Sequence, residues 1–144
     1  MDIKNIKANI ASDTEFIKIL KYSHYNPTNE KLSRLTKMYN EDENIYPFGA
    51  FDKDQIIGFI VIKNTNKQNK NYEIIDIAVD EHYRKLGIAS KLIDYVIKNF
   101  DMVTLKAETD EEAVEFYKKY GFNIKLGSKI GNINRYECEY KLRG

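Results

Sequence analysis

The run Arg84-Lys85-Leu86-Gly87-Ile88-Ala89-Ser90 sets a basic pair and a glycine directly ahead of an apolar helical stripe. Those residue types, in that order, suit the binding of an anion. The first amides of a helix have no intrahelical partner, and with the helix dipole they attract negative charge. Gly87 lets the backbone approach a phosphate closely, or takes a φ that other residues resist. Ala89 keeps the next turn narrow, and the Arg84 guanidinium can pair with phosphate oxygens. The chain holds neither a G-x-x-x-x-G-K-[ST] run nor a G-x-G-x-x-G run, which argues against a P-loop and against a Rossmann site. By itself Arg-x-x-Gly-x-Ala is also the pattern of an ordinary strand-to-helix turn with a solvated basic pair.

Two carboxylates, Glu73 and Asp76, lie in the β-branched run from Tyr72 to Val79. By strand alternation Glu73 shares a face with Ile75, Ile77 and Val79, while Asp76 projects to the opposite one. The ordinary fate of either is a solvated or cross-strand-paired charge. His24 and His82 have no carboxylate or cysteine at metal-ligand spacing, so both are expected at the surface and no metal is expected. The single cysteine, Cys138, excludes an intrachain disulfide and reads as a small, partly buried apolar residue.

These groups must be positioned by regular elements. A strand is expected over Ile3 to Asn9, then a helix capped by Ser12 or Asp13 and running through Leu20. After a break at Ser23 to Thr28, a second helix from Asn29 to Tyr39 puts Leu32, Leu35, Met38 and Tyr39 on one face. Tyr46 to Phe51 and Gln55 to Lys63 read as a tight antiparallel hairpin, and the polar run Asn64 to Asn71 as an exposed loop. Tyr72 to Val79 is a further strand. Ala89, Leu92, Ile93, Val96, Ile97 and Phe100 then form one helical stripe. A strand over Met102 to Ala107 follows. Thr109 and Glu112 have capping-box spacing for a helix whose apolar face is Ala113, Phe116, Tyr117 and Tyr120, with Gly121 ending it. Strands near Phe122 to Leu126 and Ile133 to Leu142 close the chain. The order predicts an α/β or α+β fold, one domain over residues 1–144 with a central sheet of about seven strands and about four helices. The strand–helix–strand run from Tyr72 to Ala107 should make a parallel pair, with ligands outside the carboxyl ends of its strands.

Composition removes several function classes. Twenty-three Lys and Arg against twenty-two Asp and Glu leave a formal net charge of +1, which gives no electrostatic case for nucleic acid or an anionic membrane. The N-terminal run is too polar for a signal peptide, and the nearly apolar stretch Gln55 to Ile62 is too short to span a bilayer. A soluble, cytoplasmic protein is expected.

Glu73-Ile74-Ile75-Asp76-Ile77-Ala78-Val79 followed by Arg84-Lys85-Leu86-Gly87-Ile88-Ala89 resembles the acetyl-CoA signature of the GNAT superfamily of N-acetyltransferases. The later run Ala113-Val114-Glu115-Phe116-Tyr117-Lys118-Lys119-Tyr120-Gly121-Phe122 is similar to that family's A-x-x-F-Y-x-x-x-G-F element. The element order over the chain is similar to the complete family fold. The resemblance implies a mixed sheet splayed between its fourth and fifth strands, with acetyl-CoA entering the gap. Backbone amides from Arg84 to Ala89, with Ser90 beside them, would cradle the pyrophosphate. Amides of Ile77 and Val79, flanking Ala78, would bond the thioester and pantetheine arm. Asp110 stands where family members often carry an asparagine that contacts pantetheine.

The implied activity is transfer of the acetyl group to a primary amine by direct attack. The amide of Ile77 would stabilise the developing oxyanion. Tyr117 would be the general acid, since a phenol with an unperturbed pKa of about 10 suits protonation of a thiolate. Tyr117 also fits plain packing on its apolar helical face. Glu73 occupies the position of the base in some histone-type members. Tyr22, Tyr25 and Asn26, with the segment Gly127 to Arg135, are the expected acceptor side. The acceptor would be a small-molecule or peptide amine, and the protein a monomer or homodimer. The alternative on the same fold is a non-catalytic acyl-CoA-binding sensor or interaction module.

Overall fold

A computed structural model describes residues 1–8, 10, 14–24 and 27–142. Within them the chain forms β1 (Asp2–Asn5), α1 (Thr14–Tyr22), α2 (Asn29–Glu41), β2 (Ile45–Asp52), β3 (Gln55–Asn66), β4 (Asn71–Val79), α3 (Ile88–Asn99), β5 (Thr104–Thr109), α4 (Val114–Tyr120), β6 (Asn123–Leu126) and β7 (Tyr136–Lys141). The seven strands make one open sheet in the order β1-β2-β3-β4-β5-β7-β6. As expected of a strand–helix–strand crossover, β4 and β5 are parallel, in register from Asn71↔Thr104 to Ile74↔Ala107. β4 continues beyond that register to Val79.

Several boundaries differ from the sequence reading for local reasons. β1 ends at Asn5, whose side chain accepts from the Lys7 amide and turns the chain, and Ala8 has φ 78°. The proposed caps Ser12 and Asp13 lie outside the described residues. Thr28 caps α2 by accepting from the Lys31 amide at 3.1 Å. On that helix Leu32, Thr36 and Tyr39 are buried and Met38 is exposed, correcting the expected apolar face. The polar run Asn64 to Asn71 holds the expected exposed hairpin turn over residues 67–70, but the turn is shorter than expected, since Asn64 to Asn66 extend β3 and Asn71 starts β4. β5 begins two residues later than expected, since the Val103 amide is taken by the Lys70 carbonyl at 2.8 Å.

The expected capping box does not form. Thr109 is the buried last residue of β5, and Asp110 instead accepts from the Ala113 amide at 3.0 Å. At the other end of α4, Phe122 N–H bonds the Tyr117 carbonyl and Gly121 N–H the Lys118 carbonyl, a paired closure with Gly121 at φ 122°. β7 is shorter than expected, with Ile130 and Ile133 forming a separate bridge ahead of it.

The described residues group into two compact units, one drawn from residues 1–63 and 76–100, the other from residues 64–75 and 101–142. In the first, Phe16 of α1 meets Phe59 of β3 with ring centroids 4.8 Å apart. The α3 stripe buries Ile88, Leu92, Ile93 and Val96, each worth about 1.5–3 kcal/mol against the unfolded chain. In the second, Leu105, Ala107, Cys138 and Phe122 are buried, and Phe122 stacks with Tyr117, Tyr120 and Tyr140. Burial raises the Cys138 thiol, in keeping with a packing role.

Candidate functional site

In the first unit an exposed loop joins β4 to α3. β4 ends at Val79, and Asp80, almost fully buried, stops it. The Asp80 carboxylate accepts from the His82 amide at 2.9 Å and so opens a 3₁₀ turn over Glu81–Tyr83. The amide of His82, more than any other group, holds the Asp80 carboxyl below the usual carboxylate range. Past the turn, Arg84, Lys85, Leu86 and Gly87 are all exposed. Lys85 has φ 67° and Gly87 φ 77°. Left-handed residues in such a segment turn successive amides towards one side, the geometry of an anion nest.

α3 starts at Ile88 on this nest. Its N-cap is Gly87, which supplies no side-chain cap, so no capping side chain takes the first-turn amides. A Cβ built on Gly87 meets nothing within 4 Å, so the space above the loop is open. Ile88 turns its side chain into the core, and Ala89 and Ser90 are half-buried. Sequence reading missed Gly58 on β3. A Cβ there would lie 3.1 Å from the Ala78 carbonyl and 3.3 Å from Ile88 Cγ2. The bare glycine thus lets the end of β4 and the start of α3 close on β3. Ile77, Ala78 and Val79 remain half-exposed at that end.

A buried polar cluster in the same unit corrects two expectations. Asp76 is neither solvated nor paired across strands: His24 Nε2 lies 2.7 Å from its Oδ2, and the Tyr39 hydroxyl donates to the same oxygen at 2.8 Å. His24 is accordingly not a free surface residue, its side chain being 18% exposed. Burial, and next the Asp76 charge, push the Tyr39 phenol far above its ordinary value. His82, by contrast, is at the surface, 72% exposed and 3.1 Å from Asp80. Tyr22, the last residue of α1, is exposed, and Tyr25 and Asn26 lie outside the described residues.

The second unit holds the remaining candidates. Tyr117 is buried on α4, with its ring 5.2 Å from Phe116 and 5.1 Å from Phe122. The carboxylate of Asp110 is engaged by the Ala113 amide. Glu73 sits opposite Lys106 in the β4–β5 register and lines a cavity of about 370 Å³ with Lys106, Glu108, Glu137 and Glu139. A second cavity of about 410 Å³ lies among Asp110, Glu111, Glu112 and Asn132 to Asn134. Beside it Asn134 Nδ2 donates to Glu111 at 2.9 Å. Among the described residues no helix is long and apolar enough to cross a membrane.

Residues 14–122 match the model of the Acetyltransferase (GNAT) family. The chain is 32% identical over 84 residues to the "Probable N-acetyltransferase san" of Drosophila melanogaster, a match covering 52% of this chain and 45% of that protein. It spans about half the length of the curated relatives it matches. Among solved structures it superposes on an aminoglycoside 6'-acetyltransferase type Ii with a TM-score of 0.85 at 18% identity, covering 100% of this chain and 99% of that one. A GNAT family acetyltransferase from Elizabethkingia anophelis with acetyl-CoA bound superposes with a TM-score of 0.72 at 22% identity, over 98% of this chain and 97% of that one.

Proposed function

This chain belongs to the GNAT acetyltransferase family, and from that premise we propose that it transfers the acetyl group of acetyl-CoA to a primary amine by direct attack. The observation that carries the reading is the uncapped N-terminus of α3 above the left-handed Lys85 and Gly87. Its chemistry fits a pyrophosphate: a helix start with no side-chain cap, an exposed loop with Arg84, and open space where a side chain would stand at Gly87. Acetyl-CoA supplies an activated acyl group on a thiolate leaving group.

The protein's own residues would divide the work. Amides from Arg84 to Ala89, with Lys85, Leu86, Ile88 and Ser90 as their frame, hold the pyrophosphate. Amides of Ile77 and Val79 orient the thioester, and that of Ile77 polarises its carbonyl. Tyr117 gives its phenolic proton to the departing sulfur. Its support is its place in the Phe-Tyr run of the family pattern. Glu73 is the base that the same pattern implies, although here it lies opposite Lys106 on a charged sheet face. The substrate is a small-molecule or peptide amine, and the protein works in the cytoplasm as a single domain, monomeric or as a homodimer.

Calorimetric titration with acetyl-CoA and with free coenzyme A tests the reading. Saturable binding of both is expected, weakened by Arg84→Ala and by Gly87→Trp. Absence of binding at millimolar ligand would overturn it and leave the loop an ordinary strand-to-helix turn. Binding of both ligands without transfer to any amine would favour a sensor.

A further inference from the structure

We propose that His24 accepts the proton of the attacking amine, with Asp76 and Tyr39 as positioning residues that hold its ring. The inference rests on the acetyltransferase reading above and deepens it. Three observations combine. The His24 ring is anchored through Nε2 to a buried carboxylate at 2.7 Å, so Nε2 is the nitrogen that donates to it and Nδ1 is the one left to exchange a proton. The carboxylate is itself fixed, because the Tyr39 hydroxyl donates to the same Oδ2 at 2.8 Å and Asp76 is shut away from solvent. Finally, His24 is the one member of the cluster with an exposed edge, and it follows Tyr22 and Ser23 at the end of α1, in the segment expected to face the acceptor.

The position along β4 matters as much. Asp76 directly precedes Ile77, and neighbouring Cα atoms are about 3.8 Å apart. The anchor of the imidazole therefore lies one residue from the amide assigned to the thioester carbonyl. A carboxylate that orients an imidazole and steadies its protonated form is a recurring device for general-base catalysis. In the step so assisted, the amine nitrogen bonds the acetyl carbon, and the carbon–sulfur bond breaks. The amine proton passes to Nδ1 of His24, and Tyr117 delivers its own proton to the sulfur. His24 then returns its proton to water at its exposed edge, and Tyr117 regains one from solvent. His24 takes this proton in place of Glu73, the base that the family pattern implies and that lies opposite Lys106.

The test uses the full chain and four amine probes: an aminoglycoside, a polyamine, an amino-acid amide and a short peptide with a free α-amine. On the best probe, His24→Ala is expected to lower kcat by about 10²–10⁴-fold, with acetyl-CoA affinity unchanged by calorimetry. Added imidazole should restore part of that kcat, which it cannot do for a merely structural defect. Asp76→Asn should lower kcat without changing the KM for the amine, and imidazole should not rescue it. Transfer that His24→Ala leaves intact, or a loss that imidazole does not touch, overturns the role of His24. A wild-type protein that acetylates none of the probes overturns the enzyme reading, and this inference with it.

Discussion

The hydroxyl of Tyr39 on α2 donates to Oδ2 of Asp76 on β4 at 2.8 Å, and both residues are buried. Burial and the Asp76 charge raise the phenol's pKa, so the folded protein holds that proton more tightly than the unfolded chain does. The contribution is complete below the unfolded value of about 10 and declines as the pH rises beyond it. Tyr39→Phe should cost about 1.5–3 kcal/mol at neutral pH, the usual loss for a hydrogen bond to a charged group. It should also make stability fall less steeply above pH ~10. Urea melts at neutral and alkaline pH measure both; an unchanged alkaline slope would refute the assignment.

Asp80 predicts the opposite limb. Its carboxyl is held below the ordinary range mainly by the His82 amide, so the folded state favours the ionised form. That stabilisation is present above the unfolded carboxylate value of about 3.9 and is lost as the pH falls through the lower folded value. Asp80→Ala should cost about 0.5–2 kcal/mol at neutral pH, as a lost cap does, and should flatten the acid limb of the stability curve. It should also weaken acetyl-CoA binding, because the turn it opens carries Arg84.

Gly58 ties packing to the proposed cradle. Alanine there would press on the Ala78 carbonyl at 3.1 Å and on Ile88 at 3.3 Å. Overpacking of this kind costs about 1–3 kcal/mol. A Gly58→Ala variant should melt earlier and bind acetyl-CoA more weakly, since both lips of the nest must shift. Unchanged affinity in calorimetry would show that the cradle does not depend on this close approach.

Tyr117→Phe keeps the ring that packs between Phe116 and Phe122 and removes only the hydroxyl. If the phenol is the acid, kcat should drop by about 10²–10⁴-fold with little change in acetyl-CoA affinity. Steady-state rates beside a binding isotherm separate the two, and unchanged turnover would return Tyr117 to the core.

Much of the scaffold could be read from local pattern. The α3 stripe is legible because Leu92, Ile93 and Val96 repeat at helical spacing, and the strand–turn–helix order around Gly87 follows from residues adjacent in the chain. The capping box failed for an equally local reason: β5 pairing claims Thr109, and the next residue, Asp110, accepts from the Ala113 amide one position further on.

The Asp76 cluster had no such signal. His24 and Tyr39 stand 52 and 37 residues from Asp76, so no periodicity links them. The sequence by itself determined the alternation of strands and helices and the strand–turn–helix order around Gly87, because hydrophobic period and helix-end chemistry act over a few residues. Only the tertiary structure decided that Asp76 is buried, that Gly58 admits Ala78 and Ile88, and that His24 is held by a carboxylate. Those outcomes depend on which chain segments are brought together when the core closes, and burial then turns each such meeting into a hydrogen bond that must be made.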